Sequence, residues 1–395
     1  MREIVLMAPM QIKQQLGIGN IYDLVLCDFY AKARRITGVK VIFPMLINVN
    51  GTPIEKIFGP NPQEADISIT VDNLTNMCKK YKINFDYVLR DDNNPILNQS
   101  VNASFKNVLV NECLACGSIF GTDPDIKRCK NCGEITTYHM RDALVQSVFH
   151  SEILQKLESV NFFPNSVKTR LYDFIQSLPA QYELLLEKPR AYTSIFNGTP
   201  LDPRFTAIAL LDQVVRTEKE YDLLTCISGD LVKKYVYFIF AYLDISPTNI
   251  VIHGLATGEN NKKIRWQDEK GTNFLDYLEI DEQELRTFFI TNSPLKNITI
   301  SKKTTRDNAI RMNRLKKKFL KVFHLQADGR TDAVDHERLG VLSASFDCSI
   351  SSWRFAQAVK NTEDFVEESL HILETGESLS SNELSRAKNL YSLYF

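Results

Sequence analysis

Four of the eight cysteines fall in one short stretch, as Cys113-x2-Cys116-x12-Cys129-x2-Cys132. A two-residue gap lets both thiolates of a pair reach one ion from a tight turn. Four sulfurs complete a tetrahedral shell and leave no open position for a substrate. The spacing therefore predicts a structural zinc knuckle, with Gly117 and Gly133 directly after the two pairs. A disulfide pair or an iron–sulfur cluster would use the same residues and stays open as an alternative. A disulfide framework throughout is a poor fit, since such frameworks belong to short secreted domains and this chain has 395 residues. The other cysteines, Cys27, Cys78, Cys226 and Cys348, stand among apolar neighbours and read as small core residues.

The knuckle interrupts an alternating α/β pattern. Glu3 to Met7 is an apolar run of strand length, followed by a polar loop and by Gly17 and Gly19. Ile21, Leu24, Val25, Ala31 and Ile36 recur near helical spacing up to Gly38, and Val39 to Phe43 is a second strand candidate. Strand, loop, helix and strand make one βαβ unit of a doubly wound parallel sheet. A second unit begins near Leu223, with Asn249 to His253 as its later strand. The intervening residues 109–215 read as an insertion, helical from Leu144 to Leu178. From Glu282 the pattern turns helical, with a basic stretch from Arg306 to Lys321 and an amphipathic one from Ser352 to Leu373. The expected units are 1–108, the first half of the core; 109–215, the insertion; 216–285, the second half; and 286–395, a helical domain.

A formal net charge of -1 argues against coating nucleic acid by bulk charge, though a local basic face is allowed. No apolar run reaches the roughly 18 residues that a membrane helix needs. The start MREIVLMAPM lacks the regions of a signal peptide, so a cytoplasmic location without membrane contact is expected.

The segment Gly17-Ile18-Gly19-Asn20, with the helix after it, resembles the HIGH region of class I aminoacyl-tRNA synthetases of the methionyl type. Asn50-Gly51-Thr52-Pro53 resembles that family's next glycine loop, and Ile83 to Arg90 the segment before its zinc-bearing insertion. Gly229-Asp230-Leu231 and Val251-Ile252-His253-Gly254 resemble the opening of the second half and the strand before the KMSKS loop, where Lys262-Lys263-Ile264-Arg265 stands here. The resemblance covers roughly residues 3 to 290. It implies a class I, Rossmann-like (HUP) doubly wound parallel sheet with a zinc-knuckle insertion and a reduced C-terminal helical domain. It also implies an ATP-dependent ligase that forms an acyl adenylate with Mg2+. Gly19, Asn20, Lys262 and Arg265 would then be catalytic. Gly17, Gly229, Asp230, His253 and Lys263 would join them around ATP, with Asn48 and Asp212 at the acid substrate. The acceptor would be tRNA or a small amine.

The departures carry information too. Gly17 and Asn20 replace both imidazoles of HIGH, Arg265 replaces a lysine, Asn48 and Asn50 stand where acidic and imidazole groups are expected, and the tryptophan before Asp212 is lost. These changes support the alternative of a catalytically silent paralogue that binds tRNA, a nucleotide or a protein. Each residue also has an ordinary structural reading. Gly17 and Gly19 suit a turn before a helix, Lys262 to Arg265 a solvated basic turn, and His253 a satisfied core histidine. Asp212 and Asp230 would face the crevice at strand ends or cap helices. The basic stretch from Arg306 would be a solvated helix face or a tRNA backbone contact. A bare zinc-ribbon nucleic-acid module would leave the βαβ halves without a purpose.

Overall fold

The computed structural model describes residues 2–12, 16–59, 62–93, 103–115, 118–119, 127–129, 132–188, 193–196, 198–218, 221–232, 236, 239–241, 247–264, 274–326 and 335–395. Cys116 and Arg265 lie outside the described residues.

In chain order the first half holds β1 (Arg2–Met7), α1 (Ile18–Ile36), β2 (Lys40–Ile42), β3 (Met45–Asn48), α2 (Thr52–Phe58), α3 (Glu64–Lys80) and β4 (Val88–Arg90). The middle holds β5 (Ser104–Cys113), β6 (Thr137–Phe149), α4 (His150–Glu158), β7 (Asn161–Phe163), α5 (Ser166–Gln176), β8 (Gln181–Leu185) and α6 (Pro203–Thr217). The last part holds β9 (Asp222–Ser228), β10 (Asn249–His253), α7 (Glu282–Thr291), α8 (Lys302–Gln326), α9 (Glu337–Ser351), α10 (Phe355–Glu374) and α11 (Ser381–Tyr394).

The central sheet runs β2-β1-β9-β10-β7, all parallel. Side chains of a strand alternate between faces, and here both faces are covered, which is why β1, β9 and β10 read as continuous apolar runs. Val5, Met7, Leu224, Cys226 and Val251 point to the face carrying α1. Ile4, Leu6, Leu223, Ile227, Ile250 and Ile252 point to the other, packed by α4, α5 and α6. The span 109–215 does not stand wholly apart from this sheet, because β7 pairs with β10 at its edge. Its helices α4, α5 and α6 pack on the central sheet, and its strands β5, β6 and β8 build a separate antiparallel sheet.

The stretch from Leu144 to Leu178 corrects the sequence expectation. Its first six residues complete β6, and two helices separated by β7 follow. Val145 and Val148 are β-branched, and the pairing of this stretch with Gln181–Leu185 outweighs its helical spacing. Cys348 is also corrected. It is exposed on α9, whereas Cys27, Cys78 and Cys226 are buried as expected.

Helix α1 is covered on two sides, by the sheet and by the C-terminal helices, and most of its residues are buried. Its polar residues are therefore paired. Asp28, with no exposed surface, accepts from Lys32 Nζ at 2.8 Å and the Asn84 amide at 3.1 Å, and faces Arg286 Nη2 at 3.5 Å. Arg34 makes a bidentate contact with Glu3 of β1 and donates to Ser351 at the end of α9. Most of the cations of α8 that face α10 are neutralised there: Arg311 by Glu363, Lys318 by Glu367 and Lys321 by Glu374. Among the described residues no helix is long and apolar enough to cross a membrane.

Candidate active site

The chain leaves β1 towards β2 on one side, while β9 and β10 extend the sheet on the other. The strand order therefore reverses between β1 and β9, and ligands of such sheets bind outside the carboxyl ends of the strands at a reversal of this kind. Helix α1 starts at this edge. Its N-cap, Gly17, has an extended backbone (φ -72, ψ 154), no side chain caps the helix, and the first turn carries no acidic residue. The first-turn N–H groups thus keep their partial positive charge for an incoming anion. A Cβ at Gly19 would meet nothing within 4 Å, so the space over this turn is open. Asn20 is half-buried beside it.

His253, at the end of β10, is 2% exposed. Its Nε2 lies 2.9 Å from Asp23 Oδ1 of α1, and its Nδ1 2.8 Å from the Gly254 carbonyl. The Asp23 contact is as close as an ion pair but is not aligned as a hydrogen bond. Burial alone would lower the histidine pKa. The Asp23 carboxylate and the Gly254 carbonyl outweigh it and raise the pKa to about 9. Tyr22 lies edge-on to the imidazole, ring centroids 5.3 Å apart. Such a cationic histidine ties α1 to β10.

Asp230 follows β9. Burial raises its pKa, but Lys263 and Ser228, both bonded to the carboxylate, hold it below the usual range. Lys263 therefore brings the basic loop to the Gly229–Asp230 turn, and both Lys262 and Lys263 are exposed. Gly229 donates to the His253 carbonyl at 3.0 Å. Gly254 has no room for a side chain, since a Cβ would lie 2.1 Å from the Lys296 backbone. A cavity of about 390 Å³ opens beside these residues, lined by Gly229, Asp230, His253 and Gly254, by Arg170 of α5 and by Asn297. The first turn of α1 does not line it.

The proposed acid-binding residues are placed differently. Asn48 donates to the Pro203 carbonyl at 2.7 Å and accepts from the Asn50 amide at 2.9 Å. Asn50 reaches Ser194 and Thr206. Behind them Asp91, 1% exposed, accepts from Val49 N and Thr206 Oγ1, both at 2.7 Å. Burial lifts its pKa to about 6, against the lowering effect of these hydrogen bonds. Both asparagine side chains thus serve to hold the loop after β3 against α6. Asp212 is a correction, because it sits inside α6 and not at a strand end. The sequence Asp202-Pro203 supplies an N-cap and an N1 proline, and the apolar residues after them continue the helix. Asp212 is paired with Arg216 at 2.7 Å, about 13 Å along the helix from Pro203.

The Sγ atoms of Cys113, Cys129 and Cys132 lie within 4.8 Å of one another, with Cys113 and Cys132 3.5 Å apart. A zinc ion bonded at about 2.3 Å to each thiolate sets neighbouring sulfurs about 3.8 Å apart, so the donor set fits. Gly133, with φ 82, closes the turn by donating to the Cys129 carbonyl.

Sequence reasoning missed Asp23, Asp91, Arg170 and Asn297. Asp23 lies in the helix already singled out, but nothing in one sequence pairs it with residue 253.

These features define a class I synthetase-type fold, an α/β core with a parallel central sheet and a helical C-terminal region. No known family profile matches the chain. Among solved structures, methionyl-tRNA synthetase of Mycobacterium tuberculosis bound by methionyl-adenylate is similar to it, with a TM-score of 0.70 and 13% identity over 100% of this chain and 89% of that one. The apo form of that enzyme gives 0.62 and 14% over 100% and 86%. At such identity the likeness is one of fold.

Proposed function

We propose that the chain is a methionyl-tRNA synthetase-like ligase that activates an amino or related acid as its adenylate, using ATP and Mg2+. The observation that carries this reading is the uncapped, sterically open start of α1 at the switch point of a class I sheet. In the proposal the carboxylate attacks the α-phosphate in line and pyrophosphate leaves. Gly17, Gly19 and Asn20 offer backbone and amide donors to the phosphates. Lys262, Lys263 and Arg265 supply positive charge from the loop, which Asp230 steers through Lys263. Gly229 and His253 shape the nucleotide side, His253 by fixing α1 against β10. The acyl group would pass to tRNA or to a small amine. Cys113, Cys116, Cys129 and Cys132 would hold structural zinc, which contributes rigidity to the 109–215 insertion and no chemistry. Residues 1–108 and 216–285 would form the two halves of the core, with 286–395 as the reduced helical domain.

One observation favours the second reading, a silent paralogue that binds tRNA, a nucleotide or a protein. The Asn48, Asn50 and Asp212 side chains are engaged within the protein, which leaves them unavailable to an acid substrate.

Pyrophosphate exchange with labelled ATP over a panel of acids separates the two. An active ligase exchanges with at least one acid. Gly19→Val, whose Cβ would meet no described protein atom within 4 Å, should abolish exchange and ATP binding while leaving the melting temperature nearly unchanged. Neither exchange nor calorimetric ATP binding in the parent chain would remove the ligase reading.

A further inference from the structure

Helix α8 carries more cations than α10 neutralises. Lys303, Arg306, Arg314 and Lys317 are exposed and have no ion-pair partner among the described residues. Arg306 acts on Glu279 only at longer range. On a helix of 3.6 residues per turn these four side chains fall on one stripe, about 21 Å long from Lys303 to Lys317. Ile310, 45% exposed, lies on the same stripe, and Leu320, 50% exposed, borders it. Beside it runs a groove of about 480 Å³ between α8 and α10, with Ile310 and Leu315 as its apolar surface and Arg314 at its edge.

We infer that this groove and stripe dock an amphipathic acidic helix from a partner protein. Such a helix repeats its side chains at the same 3.6-residue period. Carboxylates one to two turns apart can therefore face Arg306, Arg314 and Lys317 while an apolar residue between them enters the groove. The two exposed apolar side chains gain from this partner, whereas a phosphate backbone gives them nothing to bury. Asp307, Glu363 and Glu367 also line the groove, Glu363 and Glu367 paired with Arg311 and Lys318, so the groove itself offers a nucleic acid strand little net positive charge. The acids of a folded helix can be spaced to avoid these carboxylates.

The test is a displayed library of amphipathic peptides of roughly 18 residues. It fixes apolar residues at one-turn spacing, randomises the flanking positions over acidic, neutral and basic residues, and is panned against the full chain. Enriched sequences should be acidic beside the apolar positions. Their affinity by fluorescence anisotropy should fall at least tenfold for Arg314→Glu/Lys317→Glu and for Ile310→Ser. Basic counterparts should bind the charge-reversed variant in preference to the parent. All three substitutions are at exposed positions, and circular dichroism checks that the variants fold. Enrichment of neutral or basic sequences, no enrichment, or equal binding to the parent and the double variant would overturn the inference. So would bulk tRNA binding that the double variant loses with a steep salt dependence.

Discussion

At the scale of single residues, the buried His253–Asp23 contact makes the sharpest prediction. The histidine pKa is raised in the folded state to about 9, above the ordinary value of 6.5. Its contribution to stability is therefore fully present below pH 6.5 and is lost as pH rises through 9. Urea denaturation at intervals from pH 6 to pH 9.5 should show the parent chain losing on the order of 3 kcal/mol relative to His253→Gln. Equal pH dependence in the two proteins would contradict a protonated histidine. Asp91 behaves in the unusual direction for a carboxyl. Burial raises its pKa to about 6, so its stabilisation is greatest below the unfolded value and is lost as pH rises through 6. Asp91→Asn should flatten that part of the profile, since an amide keeps the acceptor for Val49 N and can donate to Thr206.

At the scale of elements, the knuckle and the α8–α10 pair differ in what holds them. The hairpin tip exposes Leu114 (70%) and Ile135 (71%), so under the proposed zinc reading thiolate–metal bonds would order it. The purified chain should carry about one zinc per molecule by elemental analysis. Cys129→Ser or chelation should open the tip to proteolysis near the hairpin while the core stays folded. The ion pairs between α8 and α10 are exposed, and such pairs are worth roughly 0–1 kcal/mol each. Arg311→Ala should thus change stability very little, whereas the apolar seam of Met312, Leu315, Phe319 and Val322 fixes the packing.

At the scale of the molecule, α1 joins the parallel-sheet core to the C-terminal helices. Trp353 has no exposed surface and stacks on Tyr30 of α1, with centroids 4.7 Å apart, and on Phe355 of α10, 5.1 Å apart. The buried charges Asp28 and Arg286 bridge α1 and α7. Breaking one partner of a buried pair typically costs about 3–5 kcal/mol, because the other charge stays unpaired. Asp28→Ala should lower stability by about that amount, and calorimetry should show the core and the helical region unfolding in one transition. Two well-separated transitions would show that the halves of the molecule are less coupled than this packing requires.

The local pattern of the sequence was enough to place β1, α1, β9 and β10, because period and apolar content depend on near neighbours along the chain. It also pointed to the cysteine cluster, of which Cys113, Cys129 and Cys132 do lie together. Tertiary structure alone decided that Leu144 begins as strand, that Asn48 and Asn50 bond within the protein, and that Asp23 meets His253. Those outcomes depend on partners far away in sequence, and the hydrogen-bond and charge partners of a side chain do not exist until the fold brings them together.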